Sequence, residues 1–417
     1  MRIAGIIAEY NPFHNGHLFL LNKIRRELKP DLVIAVISGD FTQRGEPAIL
    51  SKWERTQIAL HAGVDLVIEL PYLFAVGRAD IFANGAVSAL DQLGITHLAF
   101  GSEEGAIQPF LNSIQEIKRH QAIYQETFHQ SLSLGISYPN AHAAAYQAVK
   151  RISAQPLIDL TKPNNSLGYH YIQAIQKRGG RIEPITFKRK QADHGDSSFK
   201  SSAEIASATS LRTYCLSGKP LEAIRNKMPD FAYSIIKEQK NSGRLVDWET
   251  FFPFLKYRLL SSSASDIRQI YEAEEGIENR LYKFIHRSED FESFIGQVKS
   301  KRYTWVRLQR LAVHILTQTR KTEAKIQASA GEAAYLRLLG MNSKGQAYLS
   351  QQRKQLQIPL IAKIRRFRPE ILEMDVRAAQ IYDYLASQHA TDRLLVSETA
   401  HAPIRYNENL GTFAQKA

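Results

Sequence analysis

Short apolar runs alternate with amphipathic stretches through the first half of this 417-residue chain. Five runs are almost wholly apolar, as is typical of strands buried on both faces of a parallel sheet. They predict strands at 2–8, 31–37, 64–69, 95–100 and 182–187. Apolar residues at helical spacing predict helices at 17–28, 51–62, 78–93 and 165–177. This βαβ alternation predicts an α/β fold of the Rossmann-like type, with a parallel sheet and helices on both of its faces.

The second predicted helix carries signals at both of its ends. Ser51 precedes it and Glu54 follows three residues later, which is the spacing of a capping box. Gly63 stands just beyond the last turn, where a helix commonly ends on a glycine.

The pattern changes near Lys219. Long segments rich in Leu, Ile, Arg, Lys and Gln follow, including 305–319 and 333–339, and they predict helices. The run IPLIAKI around Ile358 indicates one short strand. We therefore expect an α/β domain over 1–218 and a mainly α-helical domain over 219–417.

Charge and cysteine content narrow the class of protein. Lys plus Arg number 54 against 41 Asp plus Glu, a net charge of +13 that favours a polyanionic partner such as tRNA, DNA, anionic lipid or nucleotide. The single cysteine, Cys215, excludes an intrachain disulfide framework and a cysteine-based zinc site. The first apolar run is too short for a signal peptide, and no run approaches the ~20 residues that span a bilayer. We expect a cytoplasmic protein without membrane contact.

The end of the first predicted strand carries the most informative chemistry. Residues 9–13 leave the strand, and His14-Asn15-Gly16-His17 opens a helix. A helix N-terminus at the carboxyl edge of a parallel sheet is suited to phosphate binding. Both imidazoles can donate hydrogen bonds to phosphoryl oxygens, and Gly16 lets the backbone approach a ligand. Two alternatives stay open: the histidines only cap the helix, or they bind zinc, for which no third ligand flanks them.

A second segment, Ser207-Ala208-Thr209-Ser210-Leu211-Arg212, follows the last predicted strand. Its hydroxyls and guanidinium could form a second anion site at a helix start. On its own it could equally be an ordinary helix with small residues packed on the sheet. Together the H-x-G-H and S-x-T-x-x-R patterns resemble the nucleotidylyltransferase superfamily, which includes relatives of class I aminoacyl-tRNA synthetases.

Further segments indicate a particular family within this superfamily. They are SGDFTQRGEPA at 38–48, VDLVIELP ending at Pro71, FGSE at 100–103, PNNSLG at 163–168 and FKR at 187–189. With GIIAEYNPFHNGH they resemble the bacterial tRNA(Met) cytidine acetate ligase family over most of 1–215, and more loosely beyond. Ser166 replaces a larger aliphatic residue, and ADHGD lacks an aromatic before His-Asp, which leaves open any role of His194.

The resemblance implies an AMP-forming ligase. It would activate acetate with ATP to acetyl-adenylate, release pyrophosphate, and acetylate N4 of the wobble cytidine of elongator tRNA(Met), giving N4-acetylcytidine. It implies catalytic roles for His14, His17, Thr209 and Arg212. The implied ATP-binding residues are Ile7, Ala8, Glu9, Tyr10, Asn11, Pro12, Phe13, His14, Asn15, Gly16, His17, Leu18, Phe19, Leu20, Gly101, Asn164, Arg189 and Ser207. Mg²⁺ would accompany the triphosphate, with ligands that the sequence does not specify.

Several of these residues have plainer alternative roles. Gly101 admits a close-lying adenosine or simply ends a strand, Asn164 binds ATP or caps a helix, and Arg189 binds ATP or belongs to a solvated basic turn. Asp40, Gln43 and Arg44 follow the second predicted strand, so they reach the same sheet edge and could contact acetate or tRNA.

Basic residues mixed with aromatics suggest the tRNA contacts, because they suit phosphates and unpaired bases. They are Lys299, Lys301, Arg302, Tyr303, Trp305, Arg307, Arg310, Arg320, Lys321, Lys363, Arg365, Arg366, Phe367 and Arg368. Each could instead belong to a solvated helical face.

Two other functions fit parts of the sequence. A small-molecule adenylyl- or cytidylyltransferase would use the same two motifs but would not explain the basic second half. A non-catalytic RNA-binding protein could retain the nucleotide site as a relic, although the intact motifs argue against such decay. Oligomeric state is not indicated.

Overall fold

The computed structural model describes residues 1–189, 205–364, 370–388, 390 and 398–413. His194 and the predicted RNA-contact residues Arg365, Arg366, Phe367 and Arg368 lie outside the described residues.

Nine strands of the described chain form one mixed sheet. They are β1 (Ile3–Ala8), β2 (Leu32–Ser38), β3 (Leu66–Leu70), β4 (His97–Ser102), β5 (Glu183–Lys188), β6 (Leu336–Met341), β7 (Leu360–Ile361), β8 (Ile404–Asn407) and β9 (Thr412–Phe413). Their order is β5-β4-β1-β2-β3-β6-β8-β9, with β7 also beside β6. The first five strands are parallel and confirm the predicted strands to within two residues at each end.

Helices cover both faces of this sheet and fill most of the second half. They are α1 (Asn15–Glu27), α2 (Lys52–His61), α3 (Tyr72–Ala75), α4 (Ala79–Gln92), α5 (Gln108–Arg119), α6 (Gln121–Ser133), α7 (Tyr138–Ile152), α8 (Pro163–Lys177), α9 (Ala208–Leu216), α10 (Asp230–Asn241), α11 (Trp248–Ser261), α12 (Ala264–Arg268), α13 (Ile277–Ile285), α14 (Phe291–Val298), α15 (Trp305–Leu316), α16 (Lys321–Ala330), α17 (Ser343–Gln352) and α18 (Glu373–Ala386). Short 3₁₀ helices lie at Leu221–Lys227, Glu370–Leu372 and Glu398–Ala400.

The ends of α2 follow the local signals in the sequence. The Ser51 hydroxyl accepts a hydrogen bond from the Trp53 amide at 3.2 Å, which confirms the predicted N-cap. The same hydroxyl donates to the Glu54 carboxylate. Gly63 has a φ of 99°, a left-handed conformation that favours glycine.

Alternate residues of β2 enter two different cores. Ile34 and Val36 pack in a cluster with side chains of α4 and α8, whereas Val33 and Ala35 pack with side chains of α1 and α2. Both faces of the strand are buried, which explains why it is apolar from Leu32 to Ile37, and each buried Ile or Val contributes about 1.5–3 kcal/mol.

The second half contains helices with their own core, but it also returns to the sheet. Side chains from α11, α13, α14, α15 and α18 form that core together with Phe41 and Tyr72. The helix predicted at 333–339 is wrong, because these residues lead into β6, which pairs antiparallel with β3. A short apolar run does not distinguish a buried strand from a buried helix. The strand predicted around Ile358 is confirmed as β7. In the described ranges no helix is both long and apolar enough to cross a bilayer.

Candidate active site

The strand order places a crevice beside the end of β1. Starting from β1, the chain builds the sheet through β2 and β3 on one side and through β4 and β5 on the other. In open α/β sheets, ligands bind outside the carboxyl ends of the strands at such a reversal of strand order. Strands β1 and β4 pair side by side in parallel, so the residues that follow them leave the sheet at the same edge.

The two histidines of the first motif cap α1. His14 is the N-cap residue, and its Nδ1 accepts a hydrogen bond from the Gly16 amide at 3.0 Å. His17 Nδ1 accepts one from the His14 amide at 3.2 Å, and the two rings stack with centroids 3.9 Å apart. Since each Nδ1 accepts, a neutral ring carries its proton on Nε2. The capping role therefore leaves an Nε2–H donor on both rings.

Both histidines are held in the neutral form. Burial lowers the pKa of His14 to about 3, and the nearby Arg189 guanidinium acts in the same direction. Burial also lowers the pKa of His17, with further contributions from His14 and Arg189. The pair consequently offers hydrogen bonds to an anion without adding positive charge.

Gly16 is needed by the cap itself. A β-carbon at this position would lie 2.7 Å from Cε1 of the His14 ring and 3.6 Å from Ile205 Cγ2. The glycine predicted to admit a ligand thus makes room for the imidazole. Ile205 precedes the second motif, so the two motifs already meet here.

Buried aromatic residues fix the loop between β1 and α1. Tyr10 and Phe13 are buried, and their rings lie 5.1 and 5.4 Å from that of His17. Asn11 Oδ1 accepts a hydrogen bond from the Ile49 amide at 2.8 Å. Asn11 Nδ2, although buried, has no acceptor in the described part of the chain. A buried donor without a partner is costly and suits an acceptor atom of a ligand.

Glu9 joins this loop to the segment that follows β2. Its carboxylate accepts a hydrogen bond from the Gln43 amide at 2.7 Å, and its carbonyl accepts one from Arg55 Nη1 at 2.8 Å. Burial raises the pKa of Glu9.

The second motif begins α9 and reaches the first motif directly. Ser207 is the N-cap, and its hydroxyl accepts a hydrogen bond from the Ser210 amide at 3.1 Å. Arg212 Nη1 donates to the Asn11 carbonyl at 2.9 Å, and Arg212 Nη2 lies 3.5 Å from Thr209 Oγ1. These contacts bring the two motifs together and place the Arg212 guanidinium beside the loop that follows β1.

Arg189 and Gly101 form the opposite wall. Arg189 follows β5, and a β-carbon on Gly101 would lie 3.1 Å from Arg189 Cγ. The missing side chain therefore accommodates Arg189. Arg189 as a whole residue is exposed, yet burial of its guanidinium by the surrounding protein lowers its pKa, and the Glu103 carboxylate opposes this shift. Because it also affects the pKa of both histidines, Arg189 adds positive charge beside them.

Asn164 is positioned through Glu103. The N-cap of α8 is Lys162 with Pro163 as the first helical residue, so the alternative that Asn164 is the N-cap is wrong. Asn164 Nδ2 donates to Glu103 Oε1 at 2.7 Å, and the Asn165 amide donates to Glu103 Oε2 at 2.8 Å. The Glu103 carboxylate, which follows β4, therefore lies at the N-terminus of α8.

The remaining residues that the resemblance implies for ATP binding lie around the two histidines. Ile7 and Ala8 end β1, Pro12 and Asn15 flank the histidine cap, and Asn15 Nδ2 donates to the Asn226 carbonyl at 2.8 Å. Further along α1, Leu18 and Leu20 pack against a core cluster, and Lys23 Nζ lies 5.9 Å from the centroid of the Phe19 ring.

One suggested contact residue lies in the interior. Asp40 is buried, and its carboxylate accepts a hydrogen bond from the Lys52 amide at 2.7 Å. It cannot reach acetate or tRNA, whereas Arg44 is exposed.

Sequence reasoning missed the acidic partners of the site. Glu46 pairs with Arg212 at 2.8 Å, and Glu103 holds Asn164. Their position in the sequence could have indicated this role, because both glutamates follow strands that end at the carboxyl edge of the sheet. In the part of the chain that is described, no group of three or more His, Cys, Asp or Glu side chains could hold a metal ion.

Comparison with known proteins assigns the family. Residues 1–395 match the family model of the HIGH Nucleotidyl Transferases. The chain is 42% identical to the tRNA(Met) cytidine acetate ligase of Bacillus licheniformis over 417 residues, which cover 100% of both chains. It is 43% identical to that of Bacillus subtilis over 411 residues, or 98% of each. The chain belongs to the tRNA(Met) cytidine acetate ligase family.

A solved member of this family has the same fold. The crystal structure of Thermotoga maritima TmcAL bound with alpha-thio ATP superposes with a TM-score of 0.87 at 32% identity, covering 98% of this chain and 100% of that one. The apo form of TmcAL superposes with a TM-score of 0.88. The family resemblance seen in the motifs and the Rossmann-like fold class are both confirmed.

Proposed function

We propose that this chain activates acetate with ATP and transfers the acetyl group to N4 of the wobble cytidine of elongator tRNA(Met). The observation that carries the proposal is the hydrogen bond from Arg212 to the Asn11 carbonyl, which joins both nucleotidyl-transfer motifs at one crevice. The curated relatives and the ATP-analogue complex of TmcAL support the same activity and nucleotide. The protein would act in the cytoplasm.

The crevice fits a nucleoside triphosphate. It presents two Nε2–H donors, the Arg189 and Arg212 guanidiniums, and the unpaired Asn11 amide. Glu9, Glu46 and Glu103 already accept hydrogen bonds from the protein. Since the described residues contain no cluster of three or more potential metal ligands, Mg²⁺ would enter with ATP as part of the substrate.

The first reaction needs alignment and charge neutralisation. An acetate oxygen attacks the α-phosphorus, the bond to the β-phosphate breaks, and pyrophosphate leaves. Acetate is already an anionic nucleophile, so no protein base is required. His14, His17 and Arg212 would donate to the phosphoryl oxygens as their charge grows. In the second reaction the cytidine N4 amine attacks the acetyl carbonyl, AMP leaves, and the amine loses a proton.

Labelled acetate tests the proposal. The protein is incubated with MgATP, labelled acetate and total tRNA, and the tRNA is digested to nucleosides. We expect label in N4-acetylcytidine with wild type and a loss of at least about 100-fold with His17→Ala. Absence of label from the tRNA would refute the activity. Adenylate without transfer would indicate a small-molecule adenylyltransferase.

A further inference from the structure

Exposed apolar side chains are concentrated on the hairpin of α6 and α7. This hairpin carries six of the eleven large exposed hydrophobic residues in the described chain, namely Ile123, Leu132, Leu134, Ile136, Tyr138 and Ile152. Leu134, in the turn between the helices, is 79% exposed. Such a concentration marks an interaction surface better than scattered residues do.

Tyr138 is a fixed aromatic platform on this hairpin. The Arg78 guanidinium lies 4.9 Å from the centroid of its ring and is held by Asp80 through hydrogen bonds of 3.1 and 3.3 Å. The rings of Phe128 and His142 approach it in edge-on geometry, with centroids at 5.4 and 4.4 Å. The residue nevertheless remains 44% exposed, so it can stack on a further planar group.

Cations from the helical half lie beside this hairpin. Lys299, Lys301 and Arg302 are exposed, and no carboxylate of the described residues pairs with them within 4.0 Å. A β-carbon on Gly135 would lie 3.7 Å from Nε and Nη2 of Arg302, so the hairpin turn and this cation are neighbours.

The structure divides the basic group that the sequence suggested for tRNA. Arg307 pairs with Glu275 at 3.5 Å, and the buried Arg310 pairs with Glu272 at 3.2 Å. Tyr303 is buried as well. The two arginines of the group that lie within α15 are thus paired, whereas Lys299, Lys301 and Arg302 before α15 face solvent without a carboxylate partner among the described residues.

The platform is linked to the candidate active site. Arg78 follows Gly77, whose carbonyl accepts a hydrogen bond from Gln43 Nε2 at 3.1 Å. The amide of Gln43 donates in turn to the Glu9 carboxylate at the crevice. Two hydrogen bonds through a single residue thus connect the backbone next to Arg78 with the loop that follows β1.

We propose that the surface formed by Arg78, Leu134, Tyr138, Lys301 and Arg302 binds unpaired nucleotides of an RNA. A base would stack on Tyr138, and backbone phosphates would contact Lys301 and Arg302. An exposed ring beside unpaired cations matches the chemistry of single-stranded RNA, in which bases and phosphates alternate. This inference rests on the proposed function, since it takes the RNA to be the tRNA whose wobble base is modified.

Charge and stacking variants test this surface in the full chain. We measure the Kd for a tRNA(Met) transcript by filter binding, together with acetate-dependent ATP–pyrophosphate exchange. Tyr138→Ala and Arg302→Glu are each expected to weaken tRNA binding by about 10-fold, whereas Tyr138→Phe should bind like wild type. Exchange should stay within about twofold for all three, because none of these residues belongs to the ATP site.

Matched controls lie elsewhere on the surface. Tyr257→Ala removes an aromatic ring that is 71% exposed on α11, and Lys354→Glu reverses an exposed charge beyond α17. Both should bind tRNA like wild type. Circular dichroism and thermal melting establish that every variant is folded.

Wild-type affinity in folded Tyr138→Ala and Arg302→Glu would overturn the inference. So would a change of sedimentation coefficient without a change in tRNA binding, which would identify the surface as a contact between copies of the chain. If wild type binds tRNA through this surface but forms no N4-acetylcytidine, the proposed function fails while the RNA-binding surface stands.

Discussion

At the scale of single residues, the histidines of the first motif are defined by their hydrogen bonds. Each Nδ1 accepts from a backbone amide of the helix start, so the helix determines the tautomer. Burial then keeps the rings neutral. Helix capping and phosphate binding are compatible functions here, since they use different nitrogen atoms of the same ring.

This arrangement predicts the protonation of His14. With a pKa of about 3 instead of 6.5, the folded ring should stay neutral down to about pH 4, with its proton on Nε2. Because the unfolded ring protonates first, stability is lost as the pH falls from 6.5 towards 3. Nitrogen-15 NMR at pH 5 should show a neutral Nε2–H ring, assigned with His14→Asn. An imidazolium signal at that pH would contradict the assignment.

Glu46 should position Arg212 for the reaction. Glu46→Gln removes the charge that faces the guanidinium at 2.8 Å while keeping its size. We expect about a tenfold fall in kcat of ATP–pyrophosphate exchange with a smaller change in KM for ATP. Without its carboxylate partner the Arg212 guanidinium would shift, and its positive charge matters most in the transition state. Glu46→Asp should recover part of the rate.

The matched control for this charge is Glu222→Gln. Glu222 lies 3.7 Å from Lys237 in an exposed pair, where loss of charge has little effect. Equal exchange rates in Glu46→Gln and Glu222→Gln would show that Arg212 needs no partner.

At the scale of elements, the segment 39–48 after β2 joins the candidate site to the helical core. Glu46 contacts Arg212 on one side. On the other side, the Gly45 carbonyl accepts a hydrogen bond from the Trp248 indole at 2.8 Å. Gly45 also packs against the backbone of Arg310. A shift of the helical core would therefore change the position of Arg212 in the second motif.

Gly45→Ala should reveal how closely these elements pack. Gly45 has a φ of 73°, and a β-carbon would lie 2.3 Å from the Arg310 nitrogen. Gly218→Ala provides the control, because its φ is 74° but no atom lies within 4 Å of the added carbon. Backbone strain of about 1–2 kcal/mol is common to both. Urea denaturation should show Gly45→Ala to be the less stable by a further ~1–3 kcal/mol, and equal losses would contradict the packing.

At the scale of the whole molecule, buried charges connect distant parts of the chain. Lys52 Nζ lies 2.9 Å from Glu69 and 3.0 Å from Glu398, and Asp40 lies at 3.8 Å. Arg337 of β6 reaches Glu398 at 3.4 Å. The five parts of the chain that supply these groups are thus held together inside the protein, where an unpaired charge is costly.

Lys52→Met should therefore be severely destabilising. It leaves buried carboxylates without their cation, which typically costs about 3–5 kcal/mol in the free energy of unfolding. Lys23→Met removes a comparable contact, 2.8 Å from Glu27, at the surface of α1 and should cost under ~1 kcal/mol. Equilibrium denaturation compares the two variants, and similar losses would refute a structural role for the buried cluster.

Local signals in the sequence determined the five parallel strands, the ends of α2 and the positions of both motifs. Each depends on neighbouring residues: an apolar run with two buried faces, a cap three residues from its partner, or a loop directly after a strand. The family resemblance was equally local, because it rests on short segments that follow one another along this chain.

Only the tertiary structure decided which of the remaining residues meet. The run that leads into β6 forms a strand because it pairs with the free edge of β3. Asp40 lies in the interior because its carboxylate accepts a hydrogen bond from the Lys52 amide. The partner of Arg212, and the division of the basic group into buried and exposed members, depend on contacts between residues far apart in sequence. Such contacts leave no periodic trace along the chain, since burial and pairing arise when separate elements pack together.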